Sequence, residues 1–260
     1  MAIPEILHPH VAAFRNGLDR PDVAVLIHGW TGSPAHFRPI AEGLVAAGIG
    51  VVAPLLAGHG THVTDMIDTG WRDWMASAAG AAQEATEAGA RIHFAGLSMG
   101  GLLGLLLANA FDATSVTTIN SPVFVYDRRL RFSFLRRGSR TIDVYPPDEW
   151  PAGFATEYAR QYDSTPIGTV AELHDIMRAA KRHLPLVSAP ALVVQSQTDE
   201  TVRPESGSYI YDHLGSVTKR MLWLDRSRHV ATLDTERTTI LTELVAHIEA
   251  SVRIAAGQAS

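Results

Sequence analysis

Short apolar, β-branched runs alternate along this chain with longer stretches of helical spacing. The runs are Asp22-Val-Ala-Val-Leu-Ile-His28, Gly50-Val-Val-Ala-Pro54, residues 91–97, Ser115-Val-Thr-Thr-Ile-Asn120, Ala191-Leu-Val-Val-Gln195 and Arg220-Met-Leu-Trp-Leu224. Most are apolar at consecutive positions, as parallel strands covered on both faces must be. Helices are predicted between them. One covers 35–47, with Pro34 near its start and Gly48 just past its end. Another begins near Trp71, where Trp71, Trp74, Met75, Ala78 and Ala82 share one face and read as core. Residues 99–111 are apolar nearly all round, which predicts a buried helix. Two more lie near 204–213 and 234–252, the last with a stripe of Ile240, Leu241, Leu244, Val245 and Ile248. The alternation predicts an α/β fold with a mostly parallel central sheet and helices on both faces.

The rhythm breaks between Ser121 and about Pro185. That stretch has no clear strand, carries Pro146, Pro147, Pro151 and Pro166, and shows helix-like pieces near 152–163 and 167–182. It is too long for an ordinary connection. The expected organisation is a core of residues 1–120 and 186–260 with a cap inserted over 121–185. Within the cap, Arg128, Arg129, Arg131, Arg136, Arg137 and Arg140 interleave with Leu130, Phe132, Phe134 and Leu135. The pattern reads as a solvated cap surface; the sharper alternative is a lip that touches lipid aggregates transiently.

Composition narrows the function. The 260 residues carry 22 basic and 27 acidic groups, a net charge of -5, which argues against nucleic acid as the main partner. The absence of cysteine excludes disulfides, thiolate catalysis and Cys-ligated zinc. Only Lys181 and Lys219 are lysines among the basic residues, a bias that fits GC-rich bacterial coding. The N-terminus lacks the pattern of a signal peptide and no stretch approaches ~18 consecutive apolar residues, so a soluble cytoplasmic protein is expected.

Gly96-Leu-Ser-Met-Gly-Gly101 follows a predicted strand and opens a predicted helix. This is the context of a nucleophile elbow, in which a tight turn demands small neighbours and the helix N-terminus offers free N–H groups to an oxyanion. Ser98 is the candidate nucleophile. Its base should lie downstream, where His213, His229 and His247 stand. His213 is at a helix end and His247 on the last helix, so both read as surface or capping residues. His229 lies in the loop after the last strand and can reach back to Ser98. The candidate acid is Asp199, after the penultimate strand, with Glu200 as rival and Asp225 as a weaker one. The loop His28-Gly-Trp-Thr-Gly32 follows an early strand, so the amides of Trp30 and Met99 are the expected oxyanion donors, with His28 shaping the loop. His59 and His62 lie in a glycine-rich loop without a carboxylate at metalloprotease spacing, which reads as a hydrogen-bonded loop rather than a metal site. No metal or other cofactor is expected.

Assembled, these residues resemble the α/β-hydrolase family, and more narrowly its bacterial monoacylglycerol lipases and thermostable carboxylesterases. The matching stretches are His28-Gly-Trp-Thr-Gly-Ser-Pro34, Gly58-His-Gly-Thr-His62 with Asp65-Met66, Gly96–Gly101, Ile119-Asn120, Thr165-Pro166, Asp199 and His229-Val-Ala-Thr-Leu-Asp234. The resemblance implies a cofactor-free serine hydrolase with a small mobile cap, acting on esters of short or medium acyl chain, monoacylglycerols foremost and simple esters as the alternative. It carries Ser98, Asp199 and His229 into the triad and Trp30 and Met99 into the oxyanion hole. Relatives usually have Phe at the position of Trp30, whose bulkier ring would narrow the acyl pocket. In the lipases an asparagine and an acidic cap residue before the Thr-Pro pair hold the glycerol head. Asn120 matches the first; Glu157 is the nearest candidate for the second, with Asp163 behind it.

Overall fold

A computed structural model describes residues 8–127, 132, 134–144 and 149–258. Its strands are β1 (Phe14–Asn16), β2 (Asp22–Ile27), β3 (Gly50–Ala53), β4 (Arg91–Leu97), β5 (Ser115–Ile119), β6 (Ile142–Val144), β7 (Ser164–Pro166), β8 (Ala191–Ser196) and β9 (Lys219–Leu224). Its helices are α1 (Arg38–Ala46), α2 (Trp71–Glu87), α3 (Met99–Leu107), α4 (Thr169–His183), α5 (Glu205–His213) and α6 (Arg237–Gln258). The main sheet runs β1-β3-β2-β4-β5-β8-β9 and is parallel except for the β1–β3 pair. The α/β fold expected from the alternation is thus present.

Side-chain alternation splits the core into two layers. Val23, Val25, Ile27 and Phe94 face α2, α3, α4 and α5, packing with Trp74, Leu102, Ile176 and Ile210. Ala24, Leu26, Ala95 and Leu97 face α1 and α6, packing with Ile40, Leu44, Ile240 and Ile248. Trp74 is fully buried and donates its indole N–H to Thr69 Oγ1 at 3.2 Å, so the aromatic anchor of α2 leaves no orphan donor. Burial of side chains this size contributes about 1.5–3 kcal/mol each, which is why the strand runs dominate the sequence pattern.

One strand of the main sheet was not expected, and three local expectations are corrected. β1 is a three-residue edge strand, too short to show a period. The helix over 99–111 ends at Leu107, beyond which a turn places Asp112 at φ 45°. The helix near 152–163 is only a 3-10 turn at Thr156–Tyr158, preceded by Gly153 in the left-handed region at φ 85°. His247 is not a surface residue: it is 5% exposed, and burial, helped by Arg220 and His93, lowers its pKa to about 4.

The segment expected as a cap is not uniform. β6 and β7 pair antiparallel, Ile142 opposite Pro166, away from the main sheet. Trp150 and Phe154 stack at 4.3 Å against Leu233. By contrast α4 contributes Leu173, Ile176, Met177 and Ala180 to the same layer as α2 and α3. Arg128, Arg129, Leu130 and Arg131 lie outside the described residues. Arg137 pairs with Glu172 and Asp175, and Arg140 with Asp68, while Phe132, Phe134 and Leu135 are exposed. Among the described residues no helix is long and apolar enough to cross a membrane.

Candidate active site

β4 lies at the centre of the sheet, and its carboxyl end delivers Ser98 to the turn into α3. Ser98 has φ 54° and ψ -122°, a conformation that costs on the order of 1–3 kcal/mol and must be imposed by its surroundings. Its N–H donates to Ile119 O at 2.7 Å, and its carbonyl accepts from the Gly101 N–H at 3.1 Å. The glycines two residues before and after it are steric requirements. A Cβ at Gly96 would lie 2.2 Å from the backbone of Gly100, and one at Gly100 would lie 1.9 Å from Ile27 O. The elbow is therefore pinned against β2 by backbone contact.

The His28–Gly32 loop abuts Ser98: a Cβ at Gly29 would sit 3.2 Å from Ser98 Cβ. Two buried histidines shape this loop. His28 donates from Nδ1 to Gly29 O at 2.8 Å and accepts the Leu56 N–H on Nε2 at 3.2 Å. His59 donates from Nδ1 to Ala57 O at 3.0 Å and accepts the Thr31 N–H on Nε2 at 3.2 Å. Burial keeps both imidazoles neutral, with His59 at about 4 and His28 well below its ordinary value, the latter helped by His59. Each can thus accept a backbone N–H. Thr31, held at φ 62°, fixes the peptide next to Trp30. Met99 opens α3, so its amide is a first-turn donor that no helical carbonyl reaches. Both nitrogens of His59 are committed to backbone groups, and no cluster of three or more metal-binding side chains occurs among the described residues.

His229 Nδ1–H donates to Asp199 Oδ2 at 2.9 Å. The other carboxylate oxygen accepts the Thr201 and Val202 amides, both at 2.8 Å, in a turn that closes on the aspartate. Of the rivals, Glu200 accepts the backbone N–H of His229 at 3.2 Å, and Asp225 accepts from Gln197 at 2.6 Å. Burial disfavours charge on His229, but the Asp199 carboxylate, through its field and its hydrogen bond, together with Glu200, outweighs burial and raises the pKa above the ordinary value.

The His229 loop has no regular structure, and side chains satisfy its backbone instead. Glu236 accepts the amides of Asp225, Arg226 and Ser227, and Asp234 accepts that of Arg228 at 2.8 Å. Ser196 and Thr198 hydroxyls donate to Ser227 O, and the Asn120 amide donates to Arg228 O and His229 O. Burial favours the neutral form of Glu236; the hydrogen bonds from Ser227 and the loop amides outweigh this and lower its pKa.

Ser98, His229 and Trp30 line one cavity of about 570 Å³ at the carboxyl ends of the strands. Its apolar wall includes Leu97, Pro122, Val125, Leu173, Val202 and Val230, and its polar wall Asp127, Glu149, Asp163 and Glu200. Trp30 and Thr165 also line the cavity, but the indole N–H and the hydroxyl are themselves buried, without a partner among the described residues. His36, which also borders it, stays neutral because burial and then the neighbouring His229 push its pKa to about 4. Tyr162 ties its segment to the loops at Thr31 and Gly58–Thr61. Its N–H donates to Thr31 O at 2.9 Å, and its hydroxyl donates to Gly58 O at 3.0 Å and accepts the Thr61 N–H at 3.1 Å. The sequence singled out none of Tyr162, His36 or Glu149; Tyr162 and Glu149 reach the cavity only through long-range packing, and His36 from the turn after the Gly29–Gly32 loop.

Two expected substrate contacts lie outside the cavity lining. Asn120 is fully buried and outside the cavity lining, with its side chain committed to the protein backbone and Gln195. Glu157 is exposed on the 3-10 turn, away from the cavity, where its carbonyl accepts from Arg160 at 3.1 Å. Asp163, two residues before Thr165, is the acidic residue of that segment that lines the cavity.

The model of the alpha/beta hydrolase family matches residues 24–239, from β2 into α6 and across the elbow and the His229 loop. The chain belongs to the alpha/beta hydrolase family. Its relatives in that family include the thermostable monoacylglycerol lipase of Bacillus sp. (strain H-257), 33% identical over 85% of this chain and 88% of that protein. The carboxylesterase of Bacillus subtilis (strain 168) is 25% identical over 94% of this chain and 98% of its own length. A solved structure from the metagenome-derived lipolytic enzymes LipS and LipT superposes with a TM-score of 0.85 at 31% identity, covering 93% of this chain and 98% of that one.

Proposed function

We propose that this hydrolase cleaves carboxylic esters through Ser98, His229 and Asp199, and that monoacylglycerols, split to glycerol and fatty acid, are its main substrates. The observation that carries the mechanism is the 2.9 Å His229–Asp199 hydrogen bond beside a cavity that His229 shares with Ser98 at its strained turn. With Nδ1–H engaged by Asp199, Nε2 is the free base. It takes the Ser98 proton as Oγ attacks the ester carbonyl, and returns it to the leaving alcohol. The Trp30 and Met99 amides receive the oxyanion. Water then hydrolyses the acyl-enzyme by the same route.

The glycerol preference is supported by the lipase relative and by the mixed lining of the cavity. Asp163 can meet hydroxyl groups, while Leu97, Pro122, Val125 and Leu173 suit an acyl chain. Exposed Phe132, Phe134 and Leu135 support transient contact with lipid aggregates. The second reading, a carboxylesterase indifferent to glycerol, is favoured by the likeness to the Bacillus subtilis enzyme over nearly the whole chain.

The test is a panel of 1-monoacylglycerols of graded length, matched di- and triacylglycerols and simple ethyl or nitrophenyl esters, on the wild type and Ser98→Ala. The expected result is a higher kcat/KM on monoacylglycerols, and a loss in Ser98→Ala on the order of 10⁵-fold or more. Equal rates on simple esters of the same chain length would favour the carboxylesterase reading, and an active Ser98→Ala would sink the mechanism.

A further inference from the structure

We propose that Asn120 is a positioning residue that sets the His229 loop against Ser98 and Asp199 without touching substrate. The inference rests on the triad reading above. A carboxamide offers two N–H donors and an oxygen with two lone pairs, and all four capacities of Asn120 are used. Its Nδ2 donates to His229 O at 2.8 Å and to Arg228 O at 3.2 Å. Its Oδ1 accepts the Ser196 N–H at 2.8 Å and the Gln195 Nε2–H at 3.3 Å. Its own N–H donates to Val194 O at 2.9 Å.

These bonds join the three parts of the site. Ile119, the preceding residue, accepts the Ser98 N–H. The path from nucleophile backbone to base backbone is thus Ser98 N–H to Ile119 O, one residue along the chain, then the Asn120 side chain to His229 O. On the other side Ser196 ends β8, three residues before Asp199. Among the described residues the other clamps on the loop leave the His229 carbonyl to Asn120, and a part-buried carbonyl that loses its donor is costly. The residue type follows from the same geometry. The backbone sits at φ 48°, where asparagine, aspartate and glycine are tolerated best. Aspartate would turn acceptor oxygens toward two carbonyls, and glycine would supply no donor.

The experiment compares Asn120→Gly and the isosteric Asn120→Asp with wild type, on a 1-monoacylglycerol and on a nitrophenyl ester of equal chain length. Thermal unfolding establishes that each variant is folded at the assay temperature. The proposal expects kcat to fall about 100-fold on both substrates, the size of loss that misplacing a reacting group by about 1 Å produces. KM should stay within about twofold, because no substrate contact is lost. The low-field proton signal of the His229 Nδ1–H should shift or broaden in the folded variants, a change that lost stability alone would not bring. Unchanged kcat on both esters would overturn the proposal. So would a loss confined to KM for the monoacylglycerol, which is the signature of a contact to the glycerol head. If Asn120→Gly does not fold, Asn120→Asp decides the matter, since it keeps the shape and the Ser196 acceptor. The two readings fail separately: a wild type without glycerol preference ends the lipase reading, yet the nitrophenyl ester still tests Asn120. A triad failure shows in Ser98→Ala.

Discussion

The Ser98 elbow and the His229 loop hold their side chains by opposite means. The elbow is rigid because backbones touch: Gly96, Gly100 and β2 leave no room for a single added carbon. The loop has no such packing of main chain on main chain. Three carboxylates, an asparagine and two hydroxyls tie it down group by group. The elbow therefore fails by steric overlap and takes the fold with it. The loop can lose one tie at a time, with function affected before stability.

Ser98→Ala aside, the largest expected effect is at Asp199, which holds the ring of the loop's His229. Asp199→Asn should lower kcat on the order of 10⁴-fold, since the amide favours the wrong tautomer of His229 while leaving the fold in place. His229 must be neutral to act as base, and its pKa is raised above 6.5. Wild-type kcat/KM should therefore decline on the acid side with a midpoint above pH 6.5, and a pH–rate profile with a midpoint below that value would contradict the assignment. Next is the elbow. Gly100→Ala should destabilise the protein by about 3 kcal/mol in urea unfolding, because the nearest atoms are the backbone of β2 and cannot move aside. If this variant were as stable as wild type but slow, the elbow would resemble the loop and the contrast would collapse.

The smallest effect sharpens the contrast. Glu236→Gln should cost about 1 kcal/mol at pH 7, an allowance for partial solvent screening of its bonds to the loop amides. The folded pKa of Glu236 lies below its ordinary value of 4.5. Its contribution is thus complete above pH 4.5 and is lost as pH falls through the folded pKa. The stability gap between variant and wild type should close over that acid range, as measured by urea titrations at stepped pH.

The elbow was legible because it is local. Six consecutive residues between a strand pattern and a helix pattern mark the turn, although its tightest backbone contact is to β2. Asp199 and His229 were legible on weaker grounds, from their places after the last two strands of an alternating pattern. Asn120 and Glu157 show where such reasoning stops. Asn120 directly follows β5 at the carboxyl end of the sheet, and nothing near it in the chain signals that its amide is consumed by a loop more than a hundred residues away. Glu157 and Asp163 lie in one irregular stretch without periodicity, and nothing local tells which of them points inward.

The sequence by itself determined the layered α/β core and the place of the turn at Ser98, because hydrophobic period and small residues at a strand-to-helix junction are patterns of near neighbours along the chain. Tertiary structure alone decided which polar groups meet across that core: Asn120 with His229, Tyr162 with the Gly58 and Thr31 loops, Asp163 and Thr165 with the cavity. Hydrogen bonds are short and directional, so their partners are settled only after burial has brought distant segments within about 3 Å.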